Sequence, residues 1–163
     1  MLKERFKRLQ GRLLAEAKAF YGKDLVSFVV FGSAARGTYR FDSDLDILII
    51  AENLPRGRMK RIGEFANVEQ RLEPFLRTLR KEGVYPEISA IIKTPEEAQR
   101  GSPLFLDMVE DALILYDRSR FFARLLDQLR KRLRQLGAKR IWAGNVWHGV
   151  LKPDYRPGEI IEL

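Results

Sequence analysis

The stretch Phe28–Ile50 reads FVVFGSAARGTYRFDSDLDILII. Two apolar runs flank a polar middle. The first, which begins at Leu25 and ends at Phe31, is β-branched and aromatic, the composition of a strand, and it stops at Gly32-Ser33. The second, Asp44 to Ala51, opens on Asp44 and Asp46 with Leu45 between them. Side chains two apart on a strand share a face, so the two carboxylates project together while Leu45 and Ile47 turn to the core. Like charges so placed repel. A hard divalent cation, Mg2+ or Mn2+, removes the repulsion and makes the pair a ligand set. Taken alone, Asp-x-Asp equally suits a loop-to-strand junction with exposed acids, where Ser43 and Asp44 only cap a turn.

The residues between the strands sharpen the choice. A glycine at a strand exit lets the backbone approach a ligand closely. After Gly32, the run SAARG adds backbone N–H groups, the Ser33 hydroxyl and one cation, Arg36. Such a set can hold phosphate oxygens. The plainer alternative is a turn punctuated by Gly and Ser. A phosphate cradle beside a carboxylate pair supplies the two parts of metal-assisted phosphoryl-type transfer.

Together these residues resemble the signature of the nucleotidyltransferase superfamily that includes DNA polymerase β. Phe31, Gly32 and Ser33 are followed by ten residues and then by Asp44, Leu45, Asp46 and Ile47. Ala35-Arg36-Gly37 and Ser43-Asp44 are similar to the minimal nucleotidyltransferases of archaea and bacteria. The resemblance implies an α/β (α+β) fold with a mixed sheet of about four or five strands and helices packed mainly on one face. It implies Asp44 and Asp46 as catalytic metal ligands for two Mg2+ ions, with Mn2+ a possible substitute. A third carboxylate is implied on the strand after the long helix, where Glu87 stands; it would ligate metal and take the proton of the attacking hydroxyl. Pro86 departs from the apolar residue usual before it. The resemblance also implies an NTP, ATP foremost, held by Gly32, Ser33, Arg36, Arg40 and Ser43. Some small members pair with a HEPN-type ribonuclease toxin and adenylylate it, so a HEPN-type partner protein is an expected acceptor. The reading from another class is a non-catalytic RNA- or protein-binding module that keeps the fold.

The rest of the chain frames this segment. With 163 residues the expectation is a single domain, its core at about 1–117 and a basic helix and wrapping tail at 118–163. Apolar residues at 2, 6, 9, 13, 14, 17 and 20 predict a helix to about Tyr21, ended by Gly22. Met59 to about Lys81 predicts another, kinked or restarted at Pro74. A third strand is expected from Tyr85 to Lys93. Thr94, Pro95 and Glu97 form a capping-box sequence. A helix over Pro103 to Glu110, a strand over Ala112 to Tyr116 and a helix over Ser119 to Leu136 follow. The remainder, with two Trp, two Pro and three Gly, reads as an irregular tail ending in a strand at EIIEL.

Composition bounds the chemistry. No cysteine is present, which excludes thiolate nucleophiles, disulfides and thiolate metal sites. One histidine, His148, cannot build a histidine-rich site. No long apolar run suggests a membrane span, and the charged start MLKERFKRLQGRLL lacks a signal-peptide core, so a cytoplasmic location is the expectation. The net charge is +8, and residues 118–140 carry all of that excess, with nine basic side chains against Asp127. Such a patch suits an anionic partner, RNA among them, or a solvated helix face. Trp142, Trp147 and Tyr155 beside it offer either a stacking platform or anchors for the tail. Tyr39 and Phe41 could stack on a base, but are read first as loop anchors.

Overall fold

The computed structural model describes residues 1–137 together with segments 139–143 and 146–150. Helix α1, Leu2–Tyr21, turns Phe6, Leu9, Leu13 and Ala17 inward and ends where Gly22 adopts φ 57°. Strand β1, Leu25–Phe31, is buried along its whole length. A one-turn helix α2, Gly32–Arg36, and a loop lead to strand β2, Asp44–Ala51. Helix α3, Arg58–Lys81, then runs as one helix through Pro74, so the expected restart there does not occur. Its buried side chains, Phe65, Val68, Leu72, Leu76 and Leu79, keep one stripe across the proline, and this burial outweighs the one hydrogen bond that Pro74 cannot donate.

Strand β3, Glu87–Lys93, starts two residues later than the sequence suggests. Helix α4, Pro95–Gln99, opens with the expected capping box, Thr94 and Glu97 bonding each other's backbone N–H groups. Helix α5, Leu104–Asp111, strand β4, Leu113–Asp117, and helix α6, Phe121–Leu136, follow. The segment read as an irregular tail instead begins with a hairpin: β5, Lys139–Ala143, pairs antiparallel with β6, Val146–Val150. Gly144-Asn145 between two β-prone runs is a two-residue hairpin signal that the composition of the tail obscured. Tyr155 and the EIIEL segment lie outside the described residues.

The main sheet has the order β3-β2-β1-β4. β2 pairs antiparallel with β1 and parallel with β3, and β1 pairs antiparallel with β4. The sheet is therefore mixed and four-stranded, within the expected range. Alternation along the strands builds two cores. Phe28, Val30, Leu45, Ile47 and Ile49 meet α1 and α3 on one face. Val29, Phe31, Leu48 and Ile50 meet Ala98 of α4, Phe105 and Met108 of α5, and Phe122 and Leu126 of α6 on the other. The two longest helices share one face as expected; the shorter α5 and α6 cover part of the second. Among the described residues, no helix is long and apolar enough to cross a membrane.

Candidate active site

The even-numbered residues of β2 point to the face of α5 and α6. Leu48 and Ile50 are buried there, whereas Asp46 is half-buried and Asp44 exposed at the strand's open end. The two carboxylates thus stand on one face, as the period of two requires, and Leu45 and Ile47 are fully buried on the opposite one. Asp46 lies across from Phe31 in the β1–β2 ladder, so the chain leaving β1 turns directly over it.

Gly32 makes that turn. Its φ is 70°, and a Cβ there would sit 2.5 Å from Asp46 Oδ2. Two reasons therefore demand glycine: the left-handed backbone, and the carboxylate against the Cα. α2 follows at once, and its last turn closes when Gly37 and Thr38 donate their N–H groups to the Ser33 carbonyl, the latter at 3.0 Å. Arg36 is half-buried, with its guanidinium 3.9 Å from Asp107 Oδ1. Burial raises the Asp46 carboxyl above its ordinary range, Asp44 and Asp107 raise it further, and Arg36 opposes them. Asp107 was not a sequence candidate. Like Glu110 and Asp111, it reads as part of the solvent side of α5, and only the docking of α5 brings it to Arg36.

The loop between α2 and β2 is braced at two places. Tyr39 stacks on Phe6 of α1 with ring centroids 4.6 Å apart, the anchoring role expected of it. Phe41 is not an anchor: it is 51% exposed. Its carbonyl accepts from the Tyr85 N–H at 2.8 Å, which ties the loop to the start of β3. Ser43 accepts from the Arg40 N–H at 2.5 Å and returns its own N–H to the Arg40 carbonyl at 3.2 Å. Ser43 thus shapes the turn that delivers Asp44, while the hydroxyl keeps a proton to donate. The Arg40 side chain is exposed and sits 3.8 Å from Asp42.

Glu87 pairs with Asp44 in the parallel β2–β3 ladder, and Ser89 with Asp46. Partners in such a ladder share a face and stand about 4.8 Å apart along the sheet. Glu87 is exposed at that position. Among the described residues no three acidic or imidazole side chains gather closely enough to hold one ion together. The expected convergence of all three carboxylates is thus present in register but not in side-chain placement. The donor set still fits a hard divalent cation, because Asp44 and Asp46 are oxygen ligands on one face and their mutual repulsion invites one.

Comparison with known proteins gives the family of the chain. Residues 11–136 match the family model described as "Nucleotidyltransferase domain". The chain belongs to that family. As a nucleotidyltransferase it is 32% identical over 128 residues to "Putative protein adenylyltransferase MJ1305" of Methanocaldococcus jannaschii, covering 76% of this chain and 80% of that protein. Among solved structures, a toxin–antitoxin complex with AMP-PNP matches with a TM-score of 0.50 at 13% identity, over 78% of this chain and 92% of the other, a likeness of fold. The residues that resemble the nucleotidyltransferase signature fall inside the matched range, where the two strands meet with Gly32 against Asp46.

Proposed function

We propose that this nucleotidyltransferase moves AMP from ATP to a hydroxyl of a partner protein, a HEPN-type toxin foremost, and releases pyrophosphate. The observation that carries the reading is the contact of Gly32 with Asp46, since it sets a backbone cradle for phosphates against the carboxylate pair. The adenylyl and protein parts rest on the relative named as a protein adenylyltransferase, and the toxin on the solved toxin–antitoxin complex and the sequence signature.

In this reading Gly32 and Ser33 receive the β- and γ-phosphates, and Arg36 turns its charge toward them. Arg40 and Ser43 border the same loop and complete the nucleotide set. Asp44 and Asp46 would hold Mg2+, which when bound neutralises phosphate charge and lowers the pKa of a hydroxyl. The acceptor oxygen bonds to the α-phosphorus as the bond to the β-phosphate oxygen breaks. Pyrophosphate leaves on the side of Gly32, and the acceptor proton passes to Glu87. Nothing covalent forms on the protein; it contributes position and charge.

The exposed basic residues Arg124, Lys131 and Arg134 of α6, with Arg120 just before it, are proposed to dock the partner, with RNA as the alternative occupant. The deciding experiment gives the protein Mg2+, a HEPN-type candidate and ATP labelled at either the α- or the γ-phosphate. The reading requires the α-label on the partner and the γ-label in pyrophosphate. Label on neither overturns it, and salt-sensitive RNA binding without transfer would favour the RNA reading.

A further inference from the structure

Five large apolar side chains are exposed among the described residues: Met1, Phe41, Met59, Tyr85 and Leu113. The two aromatic ones fall at one place. Phe41 precedes Asp44 by three residues, Tyr85 precedes Glu87 by two, and the Tyr85 N–H bonds the Phe41 carbonyl at 2.8 Å. They are 51% and 54% exposed. Two half-exposed aromatic side chains, on segments fixed to each other by that bond and close in the chain to Asp44 and Glu87, offer a large contact area to a second molecule.

The sheet says from which side that molecule comes. Along its open edge stand, in order, the exit of β1 with Gly32, the start of β2 with Asp44 and Asp46, and the start of β3 with Glu87. Each step is about 4.8 Å, so the row is about 10 Å long. In an in-line displacement the attacking and leaving oxygens lie on opposite sides of phosphorus. With pyrophosphate leaving over Gly32, the acceptor arrives across the carboxylates, over β3. Phe41 and Tyr85 border that side.

We infer that Phe41 and Tyr85 form the docking rim for the acceptor polypeptide, covering apolar side chains that flank the hydroxyl to be modified. This rests on the proposed adenylyl transfer to protein. The rim would set which hydroxyls are accepted, while the nucleotide is held by Gly32, Ser33 and Arg36 on the other side of Asp44 and Asp46.

The test compares wild type with Phe41→Ser/Tyr85→Ser and with the conservative pair Phe41→Leu/Tyr85→Phe. Both positions are surface ones, and circular dichroism checks that the fold persists. One readout is the affinity for labelled ATP with Mg2+. The other is KM and kcat for labelling two polypeptide probes, denatured casein and the HEPN-type candidate. For the serine pair we expect KM for polypeptide to rise about tenfold or more, the effect of losing an aromatic contact at an interface. ATP affinity should stay within about twofold, the level of an untouched subsite. The Leu/Phe pair should recover most of the loss. A fall in ATP affinity that matches the loss of labelling would place the nucleotide base on the rim and overturn the inference. Unchanged labelling by the serine pair would overturn it as well. If wild type binds ATP yet labels neither polypeptide, the protein-acceptor reading itself fails, and the inference with it.

Discussion

Asp46 and Asp117 stand at opposite ends of one sheet, across from Phe31 and Ser27 of β1, and illustrate opposite uses of a carboxylate. Asp117 closes β4, where its oxygens accept from the Ser27 hydroxyl at 2.6 Å and from the N–H groups of Phe122 and Ala123, each at 2.9 Å. Ser27 is fully buried in β1, so this one side chain satisfies a core hydroxyl and caps the first turn of α6. Asp46 faces Asp44 and Asp107, with Arg36 as the opposing charge. Donors surround the first carboxylate and like charges the second. The carboxylate that holds the fold together is matched by its own chain; the one proposed for chemistry stands among like charges.

The sharpest break in that comparison would come from neutralising the end that holds Asp44 and Asp46. Asp44→Asn or Asp46→Asn should lower AMP transfer by about 10³-fold or more, the scale for losing a preorganised electrostatic group. Melting temperature should hold or rise, because repulsion is relieved. Labelled transfer and a thermal melt measure both. Full transfer by the double variant would move the chemistry elsewhere.

Gly32→Ala ranks next. The added methyl meets Asp46 Oδ2, and the left-handed backbone costs about 1–2 kcal/mol for a residue with a Cβ. ATP affinity should fall further than stability does. Equal affinity in an ATP titration would show that the loop does not approach the phosphates.

Asp117→Ala tests the other end. It removes a helix cap and strands a buried hydroxyl, a loss of about 2–3 kcal/mol in chemical denaturation. ATP affinity of the folded variant should be unchanged. A parallel loss of affinity would mean that the two ends are coupled.

The smallest effect is on pH. Glu97 makes paired bonds to Arg61 at 2.7 and 2.8 Å, and that guanidinium holds its carboxyl down at about 2. A carboxyl lowered in the fold stabilises it above the unfolded value of about 4.3 and loses that contribution as pH falls toward 2. Asp46, raised in the fold, has the opposite sign: acidification through its raised pKa relieves a cost. Acid melts of Glu97→Gln should therefore be flatter between about pH 4.5 and 2 than those of wild type. An unchanged slope would remove the Arg61 pair from the stability of the fold.

Much of the frame was legible in the order of residues. The bounds of β1 and β2, the end of α1 at Gly22 and the capping box at Thr94 all follow from periodicity and turn chemistry within a few residues. The helix from Met59 to about Lys81 was legible too; of the two effects expected of Pro74, a restart does not occur, because the burial of one continuous helical stripe outweighs the local penalty of a proline. The hairpin of β5 and β6 was missed where prolines and glycines nearby suggested irregular chain.

The sequence alone determined the pairing of chemistries at the strand junction, since Gly32, Asp44 and Asp46 act through backbone freedom and a period of two. Only the tertiary structure decided what each of them faces. Ser27 and Asp117 are 90 residues apart, and Asp107 reaches Arg36 from a helix that joins the sheet late in the chain. Phe41 and Tyr85 likewise meet only because the parallel register sets Asp44 beside Glu87. Such contacts depend on strand register and helix docking, which sum small burial energies over the whole core. A single acid or aromatic has the same local propensity whether it ends in water, at a cap or at an active site.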